Sequence, residues 1–223
     1  MSVESNLKAL HERIISSCAN FNRQLPTLIT VSKGQTPHAI NQAIAYSQTN
    51  FGENRVLEAQ AKWRPLKENF PNITLHLIGT LQTNKVKEAV ATFDVIHTVD
   101  NLRLAQKIAD ECAKSGKNIA CFIQVNIGKK AQKQGIPLDQ ADTFIESVRD
   151  HLKLNLVGLM CLPPFRVDPQ PFFKHLQDIA AQHKLSSLSM GMSNDFESAL
   201  QYGTTHLRIG SAIFEDSHTS KDI

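Results

Sequence analysis

Cysteine is scarce in this sequence, and its few cysteines are not spaced as metal ligands. The 223 residues include 4 cysteines, and no two of them form a Cys-x-x-Cys pair. This spacing predicts neither a zinc site nor a disulfide framework, so we expect no bound metal. Cys121 and Cys161 lie in apolar runs, which predicts buried free thiols and a reducing, cytoplasmic location.

Long apolar runs, a signal-peptide core and a concentrated basic patch are also missing. No run approaches the ~18 apolar residues that a membrane span needs. The N-terminal stretch MSVESNLKALHERIISSC lacks the apolar centre of a signal peptide. The 24 Lys and Arg residues are spread among 21 acidic residues, for a net charge of +3. We therefore expect a cytoplasmic protein with neither a membrane nor a nucleic acid as its partner.

The composition is that of a folded globule, with 41% hydrophobic and 20% charged residues and no repetitive tract. Its length predicts a single domain over residues 1–223. Within residues 1–24, apolar residues three and four apart predict an N-terminal amphipathic helix. The polar tail at 215–223 is expected to be flexible.

After this helix, short β-branched runs alternate with helix-length stretches. Eight βα units in about 200 residues predict an α/β fold, a single (β/α)8 TIM-type barrel with an extra N-terminal helix. A doubly wound open sheet is the alternative, because strand count does not prove closure, but the even spacing favours the barrel. The runs are TLITVSK (27–33), TNFG (49–52), TLHLIG (74–79), DVIHTVD (94–100), ACFIQVNI (120–127), LNLVGLM (154–160), LSSLSMG (185–191) and THLRIG (205–210).

Two basic residues stand at the ends of barrel strands, where the active face of such a barrel is built. Lys33 ends the first strand, although a lysine there is more often solvated than functional. Arg208 shares an inward face of the last strand with His206 and Gly210. An arginine inside an apolar strand must be paired or bound to something, because burying it unpaired is costly.

Asn54 and His76 are weaker candidates, each with a structural alternative. Asn54 follows the second strand, where it is equally suited to cap the next helix. His76 lies within the third strand, where it is equally suited to be a hydrogen-bonded core residue.

The last two loops, SMGMSND (189–195) and RIGSAIF (208–214), each join a glycine to a serine at a helix start. Barrels commonly bind phosphate at such loops, and Ser193 and Ser211 add hydroxyl donors, although each serine is equally suited to be a helix cap. Because the first and last strands of a closed barrel are neighbours, Lys33, Arg208 and these loops converge. A phosphorylated aldehyde, bound by Lys33 as a Schiff base, would satisfy all of them.

Taken together, the motifs resemble the pyridoxal phosphate homeostasis proteins, which share the barrel of the alanine racemase N-terminal domain. The resemblance runs from about residue 27 to 214, in order and at the family spacing. It is carried by eight segments: TVSK, FGEN, LHLIGTLQTNK, IHTVD, QVNI, GLM, SMGMSND and RIGSAIF.

The resemblance implies that pyridoxal 5'-phosphate (PLP) forms a Schiff base with Lys33. It implies that Ser193 and the loop of Gly210 and Ser211 hold the phosphate, and that Arg208 faces the pyridine nitrogen. Asn54 and His76 match motif positions near the ring.

Two further positions bear on the resemblance. Lys133 matches a family lysine associated with PLP transfer, although its surroundings, with Lys129 and Lys130, favour a solvated charged loop. Gly34 and Gln35 depart from the pattern, because many relatives have Thr and then a basic residue at these positions. This departure puts a role for a second nearby cation in doubt.

Family members are described as carriers or regulators of cellular PLP, which implies a homeostasis role without catalytic residues. Arginine is always a donor, so Arg208 would keep the pyridine nitrogen unprotonated and weaken PLP as an electron sink. The only tyrosines, Tyr46 and Tyr202, fall in predicted outer helices. We expect a monomer that exchanges PLP with apo forms of PLP-dependent enzymes.

Two enzymatic alternatives stay open at this point. One is a PLP-dependent racemase or decarboxylase that uses Lys33 as its base. The other is a barrel enzyme in which Lys33 forms a Schiff base with a sugar phosphate.

Overall fold

A ring of parallel strands forms the centre of the computed structural model, which describes residues 2–128 and 134–214. The strands are β1 (Thr27–Val31), β2 (Asn50–Glu53), β3 (Thr74–Leu77), β4 (Val95–Val99), β5 (Ala120–Asn126), β6 (Ile136–Pro137), β7 (Leu156–Cys161), β8 (Ser187–Ser189) and β9 (His206–Ile209). The two-residue β6 pairs with the end of β5 and lies outside the ring. In the remaining eight, neighbours along the chain pair in parallel, and β9 pairs with β1. This closure confirms the TIM-type barrel and excludes the open sheet.

Helices surround the ring, and local sequence signals mark where several of them begin. Asn101 accepts a hydrogen bond from Leu104 N at 2.8 Å at the start of α5 (Leu102–Ser115), and Thr36 caps α2 (Pro37–Ala45) through Ala39 N at 3.3 Å. A π-helical segment (Ser147–His151) continues α6. The helices are α1 (Val3–Asn20), α2 (Pro37–Ala45), α3 (Val56–Asn69), α4 (Val86–Thr92), α5 (Leu102–Ser115), α6 (Ala141–Glu146), α7 (Gln170–Gln182), α8 (Phe196–Gln201) and α9 (Ser211–Phe214).

The main core lies between the outer faces of the strands and these helices. Successive strand residues point to opposite faces. Phe51 of β2 therefore points outward, where its ring packs 4.8 Å from that of Trp63 in α3. Both side chains are fully buried. None of the helices in the described ranges is long and apolar enough to cross a membrane.

The predicted N-terminal helix is present as α1, which packs against α2, α8 and α9. Its buried stripe includes Leu7 and Ile14, whereas Ile15 is 54% exposed. The predicted flexible tail at 215–223 lies outside the described residues. Because α8 and α9 follow the last two barrel strands, α1 supports the part of the barrel that carries the two serine loops.

We expect Leu7→Ala to lower the free energy of unfolding by about 3 kcal/mol, because it removes a fully buried side chain and leaves a cavity. Ile15→Ala, in the same helix but on its exposed side, serves as the matched control and is expected to change it by less than about 0.5 kcal/mol. Urea unfolding measures both values. Equal values for the two variants would contradict the docking of α1.

Candidate functional site

A cavity of about 1020 Å³ opens at the C-terminal ends of the barrel strands, and we call it the barrel-mouth cavity. Its wall is built by the segments that follow β1, β2, β3, β7, β8 and β9. Six of the seven predicted site residues line it: Lys33, Asn54, Ser193, Arg208, Gly210 and Ser211. Residues far apart in the chain meet here because all the strands run parallel and end at the same rim.

Lys33 stands two residues beyond β1, and its side chain is exposed to the cavity. It forms no ion pair with a described residue. The backbone just before it is held firmly: Ser32 N donates to Gly52 O at 3.0 Å, and Ser32 O accepts from Lys62 Nζ at 2.9 Å. The amine is therefore free to react while its attachment point is fixed.

A buried carboxylate holds the strand end that carries Lys33, and no sequence prediction anticipated it. Glu53 is 1% exposed, and its Oε1 accepts from Ser32 Oγ at 2.8 Å, Lys62 Nζ at 2.9 Å and Trp63 Nε1 at 3.0 Å. These contacts join β1, β2 and α3. The signal was an acidic residue in an apolar strand, in FGEN, followed by Lys-Trp on the next helix.

Arg208 lies at the inner end of the cavity and is 4% exposed. Its Nη1 donates to Ser189 Oγ at 2.6 Å and its Nη2 donates to the Cys161 carbonyl at 2.9 Å. It has no ion pair with a carboxylate in the described part of the chain. Burial lowers the pKa of Arg208, and Asp195 acts against this shift. The guanidinium still carries its charge, so it presents a fixed donor to the cavity.

The two predicted phosphate loops meet through their serines. Ser211 Oγ donates to Ser193 Oγ at 2.8 Å, and Ser193 Oγ also accepts from Ala212 N at 3.3 Å. Ser193 therefore bonds the start of α9 and does not cap α8, whose N-cap position is taken by Asp195. Hydroxyls and the first N–H groups of a helix together favour an anion.

Glycine is required where the loop after β8 turns toward the cavity. Gly191 has φ of +94°, and a Cβ there would lie 2.7 Å from the side chains of Ala199 and Leu207. A larger residue would be strained and would push α8 away. Asp195 closes the same loop by accepting from Met192 N at 2.5 Å, and burial raises the pKa of its carboxyl. The position of Ser193 thus depends on this turn.

Asn54 and His76 are placed differently from one another. Asn54 lines the cavity, and Arg55 rather than Asn54 takes the N-cap position of α3. A Cβ at Gly79 would overlap the Asn54 carbonyl, so only glycine lets the chain that follows β3 pass this close. His76 is not among the residues that line the cavity, and Ile78 lines it instead. Because alternate strand residues share a face, Ile78 lies one layer nearer the rim than His76. The place of His76 near the ring stays a prediction.

The remaining sequence predictions concern Lys133, the two tyrosines, the buried cysteines and metal binding. Lys133 lies outside the described residues, and neither tyrosine lines the cavity; Tyr202 Oη donates to Gln170 Oε1 at 3.2 Å on the outside of the barrel. Cys121 and Cys161 are buried free thiols, and burial raises the pKa of each to about 12. Across the described ranges, no group of three or more His, Cys, Asp or Glu side chains is arranged to hold a metal ion.

Chemically, the cavity combines an accessible amine, a buried guanidinium and a pair of serine hydroxyls at a helix start. Such a set suits a ligand that carries an aldehyde, a hydrogen-bond acceptor and an anionic group. The amine is a nucleophile, and the guanidinium and the serine hydroxyls are donors. These groups therefore favour an anionic ligand that carries an electrophilic carbon.

Comparisons with known proteins agree with the barrel fold. The sequence profile of the alanine racemase N-terminal domain matches residues 5–218. The pyridoxal phosphate homeostasis protein of Haemophilus influenzae is 31% identical over 227 residues, 96% of this chain and 95% of the relative. PipY of Synechococcus elongatus, solved with PLP bound, has 31% identity and a TM-score of 0.83, covering 96% of this chain and 100% of that chain. An alanine racemase of Clostridium difficile shares the fold at 13% identity and a TM-score of 0.70, over 93% of this chain and 57% of its own.

Proposed function

The chain belongs to the family of the alanine racemase N-terminal domain and, within it, to the pyridoxal phosphate homeostasis proteins, and on this premise we propose that it binds PLP in the barrel-mouth cavity. One observation carries the proposal: Lys33, Arg208 and the serine pair of Ser193 and Ser211 line a single cavity. When bound, PLP supplies an aldehyde, a ring nitrogen and a phosphate, which match these groups one for one.

Each residue has one task in this proposal. Lys33 supplies the amine that holds PLP covalently as a Schiff base, which requires the amine in its deprotonated form. The hydroxyls of Ser193 and Ser211, with the first N–H groups of α9 after Gly210, hold the phosphate. Arg208 donates a hydrogen bond to the pyridine nitrogen. Asn54 lies on the same wall and would contact the ring.

The chemistry of Arg208 favours storage over turnover. Because arginine only donates, the ring nitrogen stays unprotonated and withdraws electrons weakly. A racemase also needs a second acid or base opposite the lysine, and Tyr46 and Tyr202 both lie away from the cavity. We therefore infer a monomeric cytoplasmic protein, without catalytic residues, that holds PLP and releases it to apo forms of PLP-dependent enzymes. This is the homeostasis role.

We expect Ser193→Ala to weaken PLP binding about tenfold, because a hydroxyl donor to a charged phosphate is lost. Pyridoxal, which lacks the phosphate, should bind the variant as well as it binds the unaltered protein. Titrations with both ligands measure this difference, and Ser115→Ala, on the exposed side of α5, is the control. Equal weakening of both ligands would mean that Ser193 does not hold the phosphate.

Two assays separate the carrier from the enzyme alternatives. If the protein delivers PLP, an apo-enzyme gains activity from the loaded protein faster than PLP dissociates into buffer. If it is a racemase, added amino acids exchange the α-hydrogen for deuterium much faster than with free PLP. The sugar-phosphate alternative would show neither behaviour, and would give no visible absorption from bound PLP.

A further inference from the structure

Below the barrel-mouth cavity, Arg208 is followed by polar side chains of the lumen that the proposed PLP contacts do not use. Arg208 and the first three of these, Ser189, His97 and His76, are each 4% exposed or less. Asn50, at the start of β2, follows them toward the opposite end of the barrel. A TIM-type lumen is usually filled by branched apolar residues, so polar residues in this place need an explanation.

These five residues form one continuous series of hydrogen-bond contacts. Arg208 Nη1 lies 2.6 Å from Ser189 Oγ, which lies 2.9 Å from His97 Nδ1. His97 Nε2 lies 2.9 Å from His76 Nδ1, and His76 Nε2 lies 3.0 Å from Asn50 Oδ1. Four strands, β9, β8, β4 and β3, and the first residue of β2 are thereby joined across the lumen.

Both imidazoles in the series are neutral. Burial, reinforced by His206 and Lys67, lowers the pKa of His76 to about 3. Burial, reinforced by His76, His206 and Arg208, holds the pKa of His97 well below its usual value. A neutral imidazole has one N–H and one bare nitrogen, so each ring donates one hydrogen bond and accepts one.

The two ends of the series then determine the direction of every bond. Asn50 Oδ1 can only accept, so His76 donates from Nε2 and accepts at Nδ1. His97 must donate from Nε2 to His76, which leaves His97 Nδ1 to accept from the Ser189 hydroxyl. Arg208 can only donate, which matches the lone pair left on Ser189. All four bonds therefore run one way, from Arg208 to Asn50.

We propose that this one-way series, Ser189, His97, His76 and Asn50, fixes the Arg208 guanidinium as the donor to the cofactor ring, which makes His97 a positioning residue for PLP. The proposal rests on the proposed function. Each neutral group turns its acceptor toward the guanidinium, so the buried charge is stabilised without a carboxylate partner. A carboxylate would neutralise that charge; aligned dipoles leave it available to the ligand. Phe122 stacks on the His97 ring, with centroids 4.3 Å apart and planes 11° apart, and holds the ring in this orientation.

The first test needs no PLP. In nitrogen-15 NMR spectra of the purified protein, His76 and His97 should both be neutral with the proton on Nε2. The two signals are assigned with His76→Gln and His97→Asn. A proton on Nδ1 of His97 would reverse its bond with Ser189 and overturn the proposal.

The second test separates His97 as an acceptor from His97 as a space-filling ring. Ser189→Ala and His97→Phe should each weaken PLP binding about tenfold and shift the absorption maximum of the bound cofactor, because Arg208 loses its support. His97→Asn should restore most of the affinity and the original maximum, because Asn Oδ1 takes the place of Nδ1 as the acceptor. Thermal unfolding of each variant checks that it is folded.

Failures of the two proposals are distinguishable. If Ser189→Ala and His97→Phe bind PLP with the affinity and absorption of the unaltered protein, the positioning role is wrong while PLP binding stands. If the unaltered protein binds no PLP, the proposed function is wrong, and the tautomers alone decide whether the one-way series exists. Should His97→Phe not fold, Ser189→Ala tests whether Arg208 needs its acceptor, and the tautomer of His97 tests the place of His97 in the series.

Discussion

Replacing Lys33 with alanine is expected to abolish the covalent attachment of PLP. The unaltered protein, loaded with PLP and reduced with borohydride, should carry one pyridoxyl group on the peptide that contains Lys33. The variant should carry none there and should lose the visible absorption of the bound cofactor. The physical reason is that Lys33 is the one lysine among the residues described as lining the barrel-mouth cavity, and an amine at that place is needed to reach the aldehyde.

Lys174→Ala is the matched control for this experiment. Its side chain is 54% exposed and pairs with Asp178 on α7, so the label on Lys33 should be unaffected. Weak binding of PLP through the phosphate loops should survive in Lys33→Ala. Full absorption in that variant, with the label on another lysine, would show that the anchor had been misassigned.

Replacing Glu53 with alanine is expected to lower the free energy of unfolding by about 3 to 4 kcal/mol. The variant leaves the Lys62 ammonium without its counter-charge and removes the acceptor used by Ser32 and Trp63. Trp63 is the only tryptophan in the sequence and is fully buried. Its fluorescence therefore follows the unfolding of the same region in a urea titration, and circular dichroism follows the whole chain.

Glu58→Ala provides the comparison for this variant. Glu58 is 55% exposed and forms an ion pair with Arg55, itself 77% exposed. Surface pairs of this kind contribute about 0 to 1 kcal/mol. A loss of less than about 1 kcal/mol in Glu53→Ala would mean that water replaces the carboxylate at little cost. Glu53 would then not be needed to hold the backbone next to Lys33.

Much of the fold and of the candidate site could be predicted because parallel barrels impose simple rules. Alternating strand-like and helix-like segments predicted the ring, and its closure makes the ends of β1 and β9 neighbours. Lys33, Arg208 and the serines of the last two loops were therefore expected at one rim, although they are separated by up to 178 residues, from Lys33 to Ser211. The position of each residue at the rim could be predicted from its own local sequence pattern.

Two properties could not be predicted: how deep a side chain lies in the barrel, and which distant residues it contacts. The alternation of a strand shows that His76 points inward, but not how far it lies below the rim. That depth depends on the register between strands, such as Gly52 beside His76. Glu53 was missed for a related reason: its main partner, Lys62, lies nine residues further on, and the rotation of α3 brings the two together. His97 lies in the motif IHTVD, but its hydrogen-bond partners are His76 of β3 and Ser189 of β8, which the motif does not show.

The polar residues in the lumen also bear on the route that the cofactor takes. The side chains of His76, His97, Phe122 and Ser189 fill the barrel beneath Arg208. In the described structure they close the lumen below the barrel-mouth cavity. The cofactor therefore enters and leaves through the same opening, at the C-terminal rim of the barrel. If the proposed transfer to a recipient enzyme takes place, a recipient that covers this opening would block escape into the solvent and would also stand where the departing cofactor passes. Delivery and protection from loss would then be two effects of the same encounter.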